Sequence, residues 1–260
     1  MTKWRKLSTE AKPPTPQVQS IEVTDSGLKA ALVAATLAPS PVTYRAAADE
    51  YRRLYVFDRA YHYLNDALLM APQDAATYDA LARLWRDSGV PELGLGDAYR
   101  AVFFASDSAI AHNTLGTVLQ ALGRRELAAS EYERALALDP GAAYALNNLC
   151  YGLMLQGKTD RAVNACERAL AIQPGLRAAQ NNLALAHAVA GNSAASEHAL
   201  EASGDRAAAL YNSGIIAMAQ RRYSSAVEAF QAAHTLKPAM PLALARAQQA
   251  AKAAAGKAEE

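Results

Sequence analysis

The sequence predicts an all-α solenoid built from about six helix-turn-helix repeats, and three observations lead there. Prolines fall on a lattice with a period of 34, Pro140 and Pro174 being one period apart, and small residues recur at fixed places within it. The composition is rich in alanine and poor in aromatic residues, which make up 7% of the 260 residues against 52% hydrophobic overall. Alanine lets helices approach closely and buries little area, so the core is expected to be extended rather than thick.

Pro72, Pro140 and Pro174 occupy the lattice and Ser106 fills its vacant node; Ala67, Ala101, Ala135 and Ala169 precede the four nodes at a constant distance. Repeats therefore start near residues 41, 75, 109, 143, 177 and 207, and the solenoid spans 41–240. Residues 1–24, with Pro13, Pro14 and Pro16, have the composition of a disordered tail. Residues 25–40 are expected to form an N-terminal capping helix that Pro39 or Pro41 stops, and residues 241–260 a C-terminal capping helix and tail. The fifth repeat runs only from 177 to 206, so its second helix, near Ser193 to Ala202, is expected to be short.

Within each repeat, two antiparallel helices must meet. The eighth place reads Ala48, Ala82, Gly116, Cys150, Ala184 and Gly214, and the twentieth reads Ala60, Gly94, Ala128, Ala162 and, in the last repeat, Ala226. Such residues let a neighbouring helix close in. Leu81, Leu115, Leu149 and Leu183 at the seventh place, with Leu64, Tyr132 and Phe230 at the twenty-fourth, supply apolar faces at helical spacing. Gly89, Gly123, Gly157 and Gly191 stand where the first helix of a repeat ends, since glycine takes the left-handed cap conformation cheaply.

Residues 109–176, containing LGTVLQALGRRELAASEYERALALDP, resemble consecutive tetratricopeptide repeats, and the weaker frames extend the likeness over 41–240. The resemblance implies a right-handed superhelix whose first helices line a concave groove and whose second helices form the convex back. The doubled Asn-Asn-Leu motif followed by an alanine-rich helix is also similar to the tetratricopeptide-repeat protein of tight-adherence pilus assembly.

No catalytic constellation is present, and no cofactor or metal site is expected. His62, His112, His187, His198 and His234 lie in separate helices without metal-ligand spacing. Gly94 and Gly96 form a GxG inside a predicted helix with no strand before it, so no phosphate loop follows. Cys150 and Cys166 fall at the eighth and twenty-fourth places of one repeat, which brings them to one interface; they are expected as buried thiols, with a redox role as the alternative. A carboxylate clamp would need lysine and asparagine where Arg45 and Asp49 stand.

Asparagine on the expected groove side points most directly to function. Asn113, Asn147 and Asn181 share the fifth place, and Asn148, Asn182 and Asn212 the sixth. A primary amide both donates and accepts, so it pairs with any peptide backbone whatever the side chains. Adjacent helices lie about 10 Å apart, a span that about three extended residues cover. The sixth-place series, broken at Thr114, resembles the asparagine ladder of the O-linked N-acetylglucosamine transferase repeats. Tyr151, Leu185 and Ile215 at the ninth place and Met154 and Met218 at the twelfth would add an apolar floor. Amides bridging helices and apolar residues packed into the core are the competing readings. Arg45 with Asp49, and Asp79 with Arg83, fit intrahelical pairs.

Function is therefore expected to be non-catalytic binding of a protein or peptide, with homo-oligomerisation or complex assembly as the alternative. Net charge is +1, from 26 basic and 25 acidic residues, and offers no field for nucleic acid. No apolar run reaches the length of a membrane span. With neither a signal peptide nor a lipid-attachment cysteine in view, the chain is expected to be cytoplasmic.

Overall fold

The computed structural model describes residues 22–256 apart from 23, 203, 205, 220 and 239. The tail expected at the amino end lies, through residue 21, outside the described residues, as do the last four residues. Two units are distinguished, residues 1–140 and 141–260.

The first unit contains α1 (Ser26–Leu37), α2 (Pro41–Arg53), α3 (Phe57–Met70), α4 (Ala75–Asp87), α5 (Pro91–Phe104), α6 (Ala109–Ala121) and α7 (Arg125–Leu138). The second contains α8 (Ala143–Leu155), α9 (Thr159–Ile172), α10 (Arg177–Val189), α11 (Ser193–Ala202), α12 (Arg206–Ala219), α13 (Tyr223–Leu236) and α14 (Pro241–Gly256). Helices pair as α2 with α3, α4 with α5, α6 with α7, α8 with α9, α10 with α11 and α12 with α13. The first helices of successive pairs also touch: α2, α4 and α6 in one unit, α8, α10 and α12 in the other.

Local chemistry starts and stops these helices. Ser40 and Thr43 form a capping box ahead of Pro41, while Asp74 and Ser108 accept from the backbone N–H of Thr77 and Ala111. The fifteenth place, in the turn between paired helices, is left-handed in all six repeats. Gly89, Gly123, Gly157 and Gly191 have φ between 73° and 82°, whereas Tyr55 (61°) and Arg221 (58°) hold the same conformation at a steric cost. Arg221 is exposed, so Arg221→Gly relieves that cost without removing a packed side chain. It should raise unfolding stability by about 1 kcal/mol, read as a higher denaturation midpoint.

Packing follows the small-residue lattice. Ala67, Ala101, Ala135, Ala169 and Ala233, at the twenty-seventh place, and Ala60, Ala128, Ala162 and Ala226, at the twentieth, are fully buried. The eighth and twenty-fourth places are matched in size. Tyr132 and Phe230 are fully buried opposite glycines: a Cβ on Gly116 would lie 2.5 Å from the Tyr132 ring, and one on Gly214 2.6 Å from the ring of Phe230. Gly116→Ala should therefore overpack α6 against α7 and cost about 1–3 kcal/mol in denaturant unfolding. An unchanged midpoint would show that the ring has room to move.

The fourth repeat fills the same pair of places differently. Cys150 and Cys166 are fully buried and joined in a disulfide, with Cα atoms 5.4 Å apart. Burial agrees with the sequence expectation, but the expectation of free thiols is corrected: the two places face each other closely enough for the sulfurs to bond. The end helices cover the terminal repeats. Leu28 of α1 joins the core formed by Tyr51, Leu64, Leu81 and Leu84, and Ala247 and Ala250 of α14 pack on the cluster around Phe230.

Candidate functional site

In chemistry α2 and α4 of the first unit differ from the first helices of the second unit, whereas α6 carries no aspartate, glutamate, lysine or arginine. In the first unit charged residues bind one another across repeats. Arg83 Nε donates to Asp79 at 2.9 Å and its Nη1 lies 3.5 Å from Asp49; Arg52 pairs with Asp49 and with Asp87. Arg86 Nη1 donates to Thr117 on α6 at 2.7 Å. Arg45 does not pair with Asp49, as the four-residue spacing had suggested. It reaches Asp74, which also caps α4, because the next first helix presents its N-terminus beside it. Burial pushes the Asp79 carboxyl above the usual range, against the pull of Arg83. The face is thereby occupied with its own ion pairs.

In the second unit α8 carries Asn147, Asn148 and Tyr151, α10 carries Asn181, Asn182 and Leu185, and α12 carries Asn212 and Ile215; all are half-buried. Asn182 Nδ2 donates to Asn147 Oδ1 at 2.9 Å, and Asn147 Nδ2 donates to Asn148 Oδ1 at 3.3 Å. The amides of two adjacent first helices thus form one bonded row. Asn181 Oδ1 is buried with no donor. Met154 belongs to the core, and Ile215 and Met218 pack against the Phe230 cluster while staying partly exposed, so the apolar floor is in part the roof of the core. Asn113 is half-buried on α6, in the first unit.

Two features escaped the sequence reading. One is the Cys150–Cys166 disulfide, whose only signal was the pairing of the eighth and twenty-fourth places. The other is a set of exposed apolar side chains on second helices of the first unit: Leu69 and Met70 end α3, and Phe103 and Phe104 end α5, with Leu69 and Phe103 about four-fifths exposed. His112 is buried, its Nδ1 2.7 Å from Glu131 and its Nε2 3.1 Å from the carbonyl oxygen of Ser106, and it ties α6 to α7. Among the described residues no group of side chains is suited to a metal ion, and no helix is long and apolar enough to cross a membrane.

Residues 109–142 match the tetratricopeptide repeat, and helix pairs of the same kind run through both units. The fold is that of a tetratricopeptide-repeat solenoid. Solved structures similar to it include PilW, a type IV pilus biogenesis factor, with a TM-score of 0.64 and 23% identity over 76% of this chain and 94% of that one. PilF of Pseudomonas aeruginosa aligns with a TM-score of 0.60 and 18% identity, over 82% and 95% of the two chains. A tetratricopeptide repeat protein of Parabacteroides merdae aligns with a TM-score of 0.65 and 16% identity, over 89% and 96%. At these identities the likeness is one of fold. No curated protein matches the chain in sequence.

Proposed function

We propose that the chain is a non-catalytic protein-interaction scaffold and that the first helices of residues 141–260 hold an extended segment of a partner protein. The bonded amide row of Asn147, Asn148 and Asn182 carries this reading, with Asn181 and Asn212 on the same three helices and Tyr151, Leu185 and Ile215 beside them. A primary amide has two N–H donors and an oxygen with two lone pairs. The bond to Asn147 uses one donor of Asn182 and leaves the group able to meet a ligand backbone. Asn113 is the fifth-place counterpart on α6, in the first unit. The disulfide favours an oxidising compartment over the cytoplasm expected from sequence.

The exposed apolar residues of α3 and α5 favour a second reading, in which the second helices join copies of this chain or build it into a larger complex. Assembly of a pilus or secretion apparatus falls under that reading and is supported only by likeness of fold to the pilus proteins. A photoreactive amino acid placed at Leu185 or at Phe103 separates the two. Capture of a different protein through position 185 is the expected result; capture of a second copy through 103, with nothing captured at 185, overturns the groove.

A further inference from the structure

Beyond the first residues of α10 and α12, the proposed binding face of the second unit is built on helices without charged side chains, and this limits what it can hold. From Ala143 to Leu155, from Ala178 to Val189 and from Ala207 to Ala219 there is no aspartate, glutamate, lysine or arginine. The titratable groups on these helices are Tyr144, Tyr151 and Tyr211, with His187 near one helix end and Arg177 and Arg206 as first residues of α10 and α12. The disulfide removes the remaining thiols. The corresponding helices α2 and α4 carry a dense set of arginines and aspartates, satisfied by one another.

A charged ligand group laid on α8, α10 or α12 would lose water and find no opposite charge, a net cost that worsens with burial. A neutral backbone meets amides that can donate and accept, and apolar side chains meet Tyr151, Leu185 and Ile215. Building on the groove reading, we infer that the partner segment is extended, uncharged and apolar on one side, about six to nine residues long over three helices, and bound without ion pairs. Screening should then leave its affinity nearly unchanged, because dissolved salt weakens charge–charge contacts and not amide pairing or apolar burial.

The test uses the full chain and three sets of synthetic fluorescent decapeptides. One set is built from Ser, Thr, Val, Leu and Gln, the second has two of these residues replaced by Asp, and the third has the same two replaced by Lys. The inference expects the neutral set to contain the binders, the charged sets to bind at least about tenfold more weakly, and the dissociation constant to change less than about twofold between about 50 and about 500 mM sodium chloride. Each binder is then measured against Asn182→Ala. Binding that depends on Asn182 but favours acidic or basic peptides and weakens with salt overturns the uncharged partner and leaves the groove in place. Binding that no asparagine substitution alters, or none from any set, overturns the groove itself and this inference with it.

Discussion

Reduction of the Cys150–Cys166 disulfide should lower the unfolding free energy of residues 141–260 by about 3 kcal/mol, the amount expected for releasing a loop of this length in the unfolded chain. The cysteines are 16 residues apart and join α8 directly to α9. In other repeats the equivalent interface is held by packing, with Tyr132 over Gly116 and Phe230 over Gly214. The fourth repeat has no aromatic ring there, so loss of the covalent link leaves two small side chains where a large one would otherwise fill the space. Urea unfolding with and without reductant, and of Cys150→Ala with Cys166→Ala, should show the drop in midpoint. Oxidised chain unfolded without reductant should show no reactive thiol. Two thiols in that assay, or an unchanged midpoint on reduction, would return the pair to the free thiols read from sequence.

Replacing Asn148, Asn182 and Asn212 together by alanine should weaken partner binding by about tenfold or more, since each lost hydrogen bond contributes about 0.5–1.5 kcal/mol net. Stability should fall much less, because these side chains are half-buried and α8, α10 and α12 keep their core leucines and alanines. The bonds from Asn182 to Asn147 and from Asn147 to Asn148 contribute to that smaller loss. Calorimetric binding and thermal unfolding of the same samples separate the two effects. A large drop in stability with unaltered affinity in the remaining folded fraction would mean that the row exists to hold first helices together.

The fold was legible because its determinants are local and periodic. Ala67, Ala101, Ala135 and Ala169 recur for one reason, the closeness of packed helices at that place, and all four are fully buried. The fifteenth place was legible only where glycine marked it. Tyr55 and Arg221 hold the same backbone conformation with nothing in their chemistry to announce it. Contacts across repeats were harder to foresee. Arg45 has Asp49 at helical spacing and still binds Asp74, because the competing partner comes from the next repeat and lies 29 positions away. Cys150 and Cys166 were placed at one interface by register alone, but register does not say whether two facing sulfurs are bonded. The candidate face was legible as a series of asparagines; its internal hydrogen bonds depend on how α8 and α10 sit side by side.

The most direct test of the binding face is to watch the amides themselves. In nuclear magnetic resonance spectra of the oxidised chain, the side-chain NH2 signals of Asn148, Asn182 and Asn212 can be assigned by single substitution and followed as the protein captured through position 185 is titrated in. A peptide backbone lying along α8, α10 and α12 should shift all three together, at one common midpoint, with the ring signals of Tyr151 moving alongside. If the partner saturates while those three signals stay in place and the aromatic signals of Phe103 and Phe104 move instead, the partner binds the second helices and the asparagine row is not its site.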